Sequence, residues 1–545
     1  MMGNVKMYLQ TKKGKILLSF LAVFFLISIR FLYFGFEYYP QLDDYIQHYN
    51  YTRYGSLPYV ISKFGLFGAR PIAGILDITL WSWLWPCAII GVLLLCAMYA
   101  VAALVFFKIF NKLFGASKFF IVIFALLPLG IEGMYWMSAS TRIIPGVMLA
   151  SLSLYWFVEF METGCWRHFI FAFTCQFLTF GFYEQTAVLS CALNVFVSFV
   201  YITKSKKRWL FSFTCVASAA LYFGITALSG PSALYDGRTS IILPTSTYYF
   251  KTFIPELLSQ IKSSFLGGGY YTLVNGFVRG IKQVANDTAL MYCIFVLAGC
   301  VLLWHFTAFD QNNEGKTILP IVIGVLLIVA PLVPFFIIAN PWFSFRGTVA
   351  SFAGIALVAD VLIRWITNNH KKAIAYISAT VAFVFCICSV SEIADYKATN
   401  EADTRVVSTL SKIADDHTYG DKVAVLNVDP MYLEENNCIF HEHIIGVTES
   451  SWALTGAIRW YNDNHNEGIT YVPITFQKDP IYKKWEYGTK TIGAMDGVYF
   501  YDYNRNSINR LKVEAINNTF ELYFENGEKL GTVVEENECG RFFEE

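Results

Sequence analysis

Charge is scarce in this sequence of 545 residues. Charged side chains make up 15% of the chain, whereas 55% of its residues are hydrophobic and 17% are aromatic. Soluble domains carry about 25% charged residues, so this composition excludes an ordinary soluble protein. The net charge is zero, but the charged residues are unevenly distributed. The first 390 residues alternate apolar runs with short polar links, and charges are concentrated after them. We therefore expect a polytopic membrane protein with a polar tail.

Several catalytic and metal-binding motifs are missing. The chain has no P-loop, no GxGxxG followed by an acid, no HExxH and no Cys-x-x-Cys pair. Ten of its twelve cysteines lie in or beside apolar runs, and Cys386 and Cys388 are expected to be core residues. The sequence does not decide whether Cys438 and Cys539, both in the tail, form a disulfide. Because the chain has no nucleotide-binding motif, we expect any reaction to take place on the extracytoplasmic side of the membrane. Its donor would then be carried in the membrane on a lipid phosphate.

Apolar runs recur along the first 391 residues. A membrane-spanning helix needs about 20 apolar residues. Eleven runs are candidates, at residues 16–34, 87–107, 119–136, 143–160, 166–182, 186–202, 209–228, 288–308, 317–339, 347–367 and 373–391.

The basic links between these runs indicate the orientation. Lys12, Lys13 and Lys15 precede the first run, and no small-residue cleavage site follows it, so we expect an uncleaved first span with the N-terminus in the cytoplasm. Nearly all the short basic links then also face the cytoplasm, as the positive-inside rule requires. This orientation needs residues 71–84 to be interfacial or re-entrant. Trp81, Trp83 and Trp85 there suit a belt at the lipid headgroups.

The tail differs from the rest of the chain. We expect a helical linker at 392–416 and a small extracytoplasmic α/β domain at 417–545. KVAVLNV, TYVPITF, GVYFYDYN, LKVEAI and TFELYFE are strand-like, and SWALTGAIRWYND suits a helix. Asn526-Gly527 between two alternating runs predicts a hairpin. The HEH sequence at 441–443 is expected to lie on a surface strand.

Basic residues accumulate on the predicted outer face, in the loops 35–86 and 229–287 and in the turns MSASTR, GFYEQ and NPWFSFR. A single arginine near a span end normally snorkels to the headgroups. Several arginines outside the membrane suit an anion instead, and guanidinium groups bind phosphate in a bidentate manner. The candidates are Arg70, Arg142 and Arg346, followed by Arg238, Arg279 and Lys282.

An acidic pair, Asp43-Asp44, follows the first predicted span among five tyrosines. These carboxylates could act as a general base, bind a metal or cap a helix. The tyrosines suit either stacking on a sugar ring or an interfacial belt. The tyrosines are Tyr38, Tyr39, Tyr45, Tyr49 and Tyr51.

The order of LDDYIQ, GARPIAG, GFYEQTA and FSFRGTVASFAG resembles the GT-C superfamily of membrane glycosyltransferases. Within it, the order is similar to the Gtr-type bacterial glucosyltransferases of surface polysaccharide, over residues 15–390. The eleven apolar runs predict an all-α polytopic membrane bundle of about 11 helices at residues 1–391, and the resemblance implies that it is GT-C-like and lies in a bacterial plasma membrane. It also implies transfer of a hexose from a polyprenyl-phosphate donor to a surface glycan or lipid-linked acceptor on the outer face, with inversion.

The resemblance further implies roles for residues. Asp43 would deprotonate the acceptor hydroxyl, while Asp44 orients the acceptor or exchanges roles with Asp43, and the basic candidates would bind the donor phosphate. Glu184, Tyr45 and Tyr49 would contact sugar, or Glu184 would pair with an arginine. The sequence assigns no cofactor, and participation of a divalent metal is kept as an alternative. Membrane lipid is an expected partner and nucleic acid is not.

Three alternatives remain beside this hypothesis. A flippase or transporter of lipid-linked oligosaccharide would carry charges along a path through the spans, and an internal repeat between halves. Neither feature is evident in the sequence. A polysaccharide polymerase would use the same lipid-phosphate site, and an anchoring protein would need far fewer spans.

Overall fold

The computed structural model is mostly helical and ends in a mixed β-sheet. It describes residues 11–45, 70–228, 242–287, 290–306, 318–339, 341–429, 444–464, 468–474, 482–483, 492–517, 519–536 and 539–544. The chain forms two compact units. The membrane unit comprises Met1–Tyr38, Ser56–Ile393 and Asn436–His441, and the C-terminal unit comprises Tyr39–Gly55, Ala394–Glu435 and Glu442–Glu545.

Helices build the membrane unit. They are α1 (Lys12–Ser28), α2 (Pro71–Leu76), α3 (Ala88–Phe114), α4 (Phe119–Leu126), α5 (Ile131–Tyr135), α6 (Met137–Thr163), α7 (Trp166–Thr179), α8 (Glu184–Tyr201), α9 (Thr214–Leu228), α10 (Ile254–Lys262), α11 (Gly276–Asn286), α12 (Leu290–Phe306), α13 (Leu319–Val329), α14 (Phe352–Ile366) and the first part of α15 (Lys371–Leu410). Shorter 3-10 and π segments join several of them, among them Ile29–Phe34, Ala330–Phe336 and Phe345–Ser351.

Seven helical runs of the described residues are long and apolar enough to cross a membrane. They are Lys13–Phe34, Pro71–Phe114, Met137–Thr163, Glu184–Tyr201, Leu319–Phe336, Phe345–Ile366 and Lys371–Asp416. Phe119–Tyr135 and Met291–His305 are shorter apolar helices. The prediction of a multi-pass membrane protein is therefore confirmed. Helix occurs at each of the eleven predicted positions, although those at 119–136, 166–182, 209–228 and 288–308 do not meet the criteria for a span.

Residues 71–84 are part of a long helical run. Pro71–Phe114 is helical over 44 residues, with a π turn at Asp77–Trp81 and a 3-10 turn at Trp85–Cys87. The predicted tryptophan belt is largely wrong, because Trp81 and Trp85 are buried and only Trp83 is exposed, at 83%. Alternate tryptophans point to different sides of a helix, so they cannot share one surface.

The predicted outer loop at 229–287 is mostly helical over its described part, residues 242–287. Its buried face repeats every fourth residue, at Gly268, Thr272, Gly276 and Gly280. Small residues at this spacing allow close helix packing, and an added Cβ at Gly280 would lie 2.2 Å from the carbonyl oxygen of Ile387 in α15. The sequence pattern was missed because π turns widen the helical repeat above 3.6 residues.

An eight-stranded mixed sheet forms the core of the C-terminal unit, in the order β2-β1-β4-β5-β6-β7-β8-β3. β1 is parallel to β2 and β4, and the remaining pairs are antiparallel. The strands are β1 (Lys422–Leu426), β2 (Thr470–Ile474), β3 (Tyr482–Lys483), β4 (Gly497–Asp502), β5 (Ser507–Ile516), β6 (Thr519–Phe524), β7 (Lys529–Glu536) and β8 (Cys539–Glu544).

The tail follows its sequence pattern closely. The helix α16 (Ser451–Tyr461) lies between β1 and β2 in the chain, as predicted, and Ser450 caps it by accepting a hydrogen bond from the Ala453 amide. The β6–β7 hairpin turns at Gly527, whose φ of 85° requires the freedom of glycine. The predicted linker is helical through Leu410 and then Ser411–Asp416. HEH and Cys438 lie outside the described residues, and the side chain of Cys539 is not described.

Candidate functional site

The sequence LDDY lies in a turn of the C-terminal unit. The Gln41 amide donates to Asp44 Oδ2 at 3.1 Å, and the Asp44 amide donates to the Gln41 carbonyl at 2.9 Å. Asp44 is fully buried. It corresponds to the third helical residue of a capping box, whose side chain accepts a hydrogen bond from the amide of the capping residue, here Gln41. The LDDY turn, residues 41–45, is thus closed by one of its own aspartates.

Asp43 differs from its neighbour, because its side chain is only partly buried. Trp452 in the first turn of α16 donates its indole N–H to Asp43 Oδ1 at 3.0 Å. Among the described residues, this is the one hydrogen bond to the Asp43 carboxylate. Leu42 before it has a φ of 39°, an uncommon conformation for a side chain of its size, and such backbone outliers concentrate at functional sites.

Tyr45 is not the exposed sugar-stacking residue that the sequence suggested. Its side chain is 6% exposed, and Asn400 of α15 donates to its hydroxyl at 3.3 Å and to the Pro40 carbonyl at 2.9 Å. Burial, followed by the charges of Asp403 and Asp44, holds the pKa of Tyr45 well above its ordinary value. Tyr45 therefore anchors the LDDY turn as a neutral phenol. Tyr49 lies outside the described residues.

In the membrane unit, Arg70 and Glu184 form a two-point ion pair. Arg70 Nε and Nη2 lie 3.3 and 3.1 Å from the two Glu184 oxygens, and the guanidinium lies 4.2 Å from the centre of the Tyr183 ring. Both side chains remain partly exposed, at 27% and 41%. The predicted alternative in which Glu184 pairs with an arginine is the one that this geometry supports.

The backbone at Arg70 is fixed by its surroundings. Arg70 has a φ of 65° and precedes Pro71, which begins α2. The Ile72 and Ala73 amides both donate to the Gly181 carbonyl, at 3.0 and 3.1 Å. An added Cβ at Gly181 would lie 2.4 Å from Ile72, so only glycine allows this approach. The GARP and GFYEQ motifs are thereby joined.

Arg142 is buried inside α6, where the sequence had suggested the turn MSASTR. Its Nη2 lies 2.7 Å from Asp77 Oδ2, and its Nη1 donates to the Ser138 carbonyl at 2.7 Å. Asp77 is wholly buried. The turn prediction was wrong because the polar run fills helical positions whose side chains find partners inside the protein.

Arg346 is the second residue of the 3-10 run Phe345–Ser351, which follows Ser344 in an extended conformation. Its guanidinium lies 5.1 Å from the centre of the Trp136 ring, and its amide donates to Glu132 Oε1 at 3.3 Å. Glu132 also accepts from Ser344 at 2.9 Å. The buried Glu132 thus fixes the backbone at Arg346. The partly exposed Arg346 guanidinium lies over the Trp136 ring.

We refer to five residues of the membrane unit as the arginine cluster: the ion pairs Arg70–Glu184 and Arg142–Asp77, and Arg346. Next to Glu184, Gln185 donates to the carbonyl of Gly347, the residue after Arg346, at 2.9 Å. The second-tier residues lie elsewhere: Arg279 donates to the Tyr271 hydroxyl and the Ser391 carbonyl, and Lys282 is exposed. Arg238 lies outside the described residues.

Two residues of these sites were missed from the sequence. Asp77 is an isolated acid in the apolar run GILDITLW, and an ionisable residue in such a run could have marked it. Trp452 has no comparable signal, because it lies 409 residues from Asp43 in the chain. The described residues contain no group of three or more His, Cys, Asp or Glu side chains arranged to hold a metal ion.

Comparison with protein-family models, with curated protein sequences and with solved structures gives no match to this chain.

Proposed function

We propose that the protein is a membrane glycosyltransferase of the GT-C type. It would transfer a hexose from a polyprenyl-phosphate donor to a hydroxyl of a surface glycan or lipid-linked acceptor, on the outer face of the membrane. Support comes from the multi-pass architecture, from the order of the resembling motifs and from the contacts that join GARP, GFYEQ and FSFRG within the membrane unit.

The environment of Asp43 carries the proposal. A general base must be ionised, oriented and reachable by its substrate. Asp43 is partly exposed and oriented by Trp452, whereas the adjacent Asp44 is fully buried and closes the turn. We therefore assign the base to Asp43 and a structural role to Asp44.

The donor phosphate needs cationic groups where charge develops on its oxygens. Arg70 and Arg346 are the candidates that retain partial exposure. Arg142 already neutralises a buried carboxylate, so we assign it to the stability of the cluster. Glu184 would then set the orientation of Arg70 and limit the net charge of the cluster.

The proposed reaction is a single displacement. Asp43 accepts the proton of the acceptor hydroxyl as that oxygen bonds to the anomeric carbon. The bond from the anomeric carbon to the donor phosphate oxygen breaks, and the electron pair leaves with the polyprenyl phosphate. Attack opposite the leaving group inverts the anomeric configuration.

The test is sugar transfer by the purified, reconstituted chain with a panel of radiolabelled polyprenyl-phosphate sugars and a crude surface-glycan acceptor. Asp43→Asn is expected to lower the transfer rate by roughly 100-fold or more, while donor binding is retained. Asp44→Asn keeps an acceptor oxygen for the Gln41 amide and is the matched control, expected to retain most activity.

Equal activity of Asp43→Asn and wild type would remove the assigned base. Movement of the donor across the bilayer without any transfer would support the flippase alternative instead. Products of repeating length would point to the polymerase.

A further inference from the structure

Trp452 is the one residue of α16 that the described structure connects to the LDDY turn by a hydrogen bond. It follows the Ser450 cap, so its position in the first helical turn is fixed by the backbone. The side chain is 36% exposed while its indole N–H points to Asp43 Oδ1. Such an indole combines a hydrogen-bonded polar edge with an apolar ring that is partly exposed.

One of the two carboxylate oxygens of Asp43 accepts a hydrogen bond from the protein. Trp452 binds Oδ1, and within the described residues no hydrogen bond is made to Oδ2. A carboxylate oxygen can accept more than one hydrogen bond, so Oδ2 retains its capacity to accept a proton. Asp44 offers no such oxygen, because it is fully buried behind the Gln41 amide.

We propose that the C-terminal unit carries the acceptor subsite of the enzyme, in which Trp452 positions Asp43 and stacks on the acceptor sugar. This inference rests on the proposed function. The ligand class is a pyranose ring, whose C–H face packs on an indole while its hydroxyls remain free to bind polar groups. A ring stacked on Trp452 brings a hydroxyl to the open oxygen of Asp43.

This assignment gives the polar tail a role in catalysis. Tyr39 and Tyr45, the described tyrosines of the C-terminal unit nearest the aspartates, are each 6% exposed and cannot provide a stacking face. The exposed aromatic surface next to Asp43 comes instead from α16. Trp452 is thus a positioning residue for the base and a determinant of acceptor affinity.

The test separates these two roles with matched variants. Trp452→Phe removes the N–H donor but keeps an aromatic face, and Trp452→Ala removes both. Trp460→Phe is the control, since Trp460 lies on the same helix with a similar exposure of 37%. All variants are made in the full chain and reconstituted, and kcat, acceptor KM and donor affinity are measured.

We expect Trp452→Phe to lower kcat about 10-fold with little change in acceptor KM, because one hydrogen bond to the charged base is lost. Trp452→Ala should also raise acceptor KM by about 10-fold, whereas donor affinity stays constant. Trp460→Phe should match wild type. Variants of Trp452 that match Trp460→Phe, or that lose donor affinity and thermal stability in parallel with activity, would overturn the inference.

A direct binding measurement distinguishes this inference from the proposed function. In chain labelled with 5-fluorotryptophan, the ¹⁹F resonance absent from Trp452→Phe identifies this indole. We expect methyl hexosides and trisaccharides of glucose, galactose, mannose or rhamnose to shift this ¹⁹F resonance in the absence of any donor. A shift in a protein that transfers no sugar would refute the transferase while leaving a sugar subsite, and transfer with an unmoved resonance would refute the subsite.

Discussion

Asp77 and Asp43 lie in different units and in different surroundings. Asp77 is wholly buried in the membrane unit, 2.7 Å from a guanidinium that also binds a backbone carbonyl. Asp43 is partly exposed in the C-terminal unit and accepts one indole N–H. Burying an unpaired charge costs several kcal/mol, so the first carboxylate requires its partner and the second does not.

The difference lies in which carboxylate oxygens a substrate could reach. A wholly buried carboxylate contributes to one arrangement of helices and presents no oxygen to a substrate. A carboxylate held at one oxygen is oriented and still able to accept a proton. The same distinction applies within the LDDY turn, between Asp44 and Asp43, and within the arginine cluster, between Arg142 and Arg70.

The largest expected effect comes from breaking the buried pair. Arg142→Met leaves the Asp77 carboxylate without its cation and should lower the free energy of unfolding by about 3–5 kcal/mol. Arg70→Met, in the partly exposed pair with Glu184, should lower it by about 0–1 kcal/mol. Both are measured by denaturant unfolding in mixed micelles.

The double variant Asp77→Leu/Arg142→Met is the control for the ion pair itself. It removes both charges and should recover most of the lost stability, since two apolar residues can replace a buried pair. Equal losses for Arg142→Met and Arg70→Met would show that burial does not separate the two pairs.

Close packing gives the next effect. Gly280→Ala places a methyl group 2.2 Å from the Ile387 carbonyl oxygen and should destabilise the membrane unit by about 1–3 kcal/mol. Gly269→Ala meets nothing within 4 Å and should be neutral or up to about 1 kcal/mol stabilising. Thermal unfolding in detergent compares them, and a neutral Gly280→Ala would contradict the described contact.

The two neighbouring aspartates should differ in stability as well as in activity. Asp44→Ala removes the acceptor of the buried Gln41 amide and should cost about 1–3 kcal/mol. Asp43→Ala affects a partly exposed side chain and should change stability by less than about 0.5 kcal/mol. Hydrogen exchange at the Gln41 amide reports the local opening; faster exchange in Asp43→Ala than in Asp44→Ala would reverse the assignment of roles.

The smallest effect is a pH dependence in the C-terminal unit. The Thr418 amide and then His417, 3.0 Å away, hold the pKa of Asp421 below its ordinary value of 3.8. A lowered pKa in the folded state means that the stabilisation is complete above the ordinary pKa and is lost as the pH falls through the lowered one.

Asp421→Asn should therefore reduce the loss of stability between about pH 5 and about pH 2. Near-ultraviolet circular dichroism of thermal unfolding measures it. Asp415→Asn, in the preceding 3-10 segment, controls for the loss of one negative charge. Identical acid dependence in wild type and Asp421→Asn would show that this contact contributes nothing.

Much of the local structure was predictable. The apolar runs marked the helices, and strand alternation with Asn526-Gly527 marked the β6–β7 hairpin. Two predictions failed for local reasons: MSASTR is helical because α6 buries its polar side chains, and residues 242–287 form helices whose buried face repeats every four residues. Composition alone had suggested a turn and a loop at these places.

The sequence by itself determined the class of protein, the positions of the helices and the pattern of the C-terminal strands. These features depend on side chains within a few turns of each other, through hydrophobic periodicity, capping and turn residues. The tertiary structure decided which aspartate is buried, which arginine is neutralised and which aromatic residue is adjacent to Asp43. Those outcomes depend on burial and on contacts across as many as 409 residues, which no local pattern encodes.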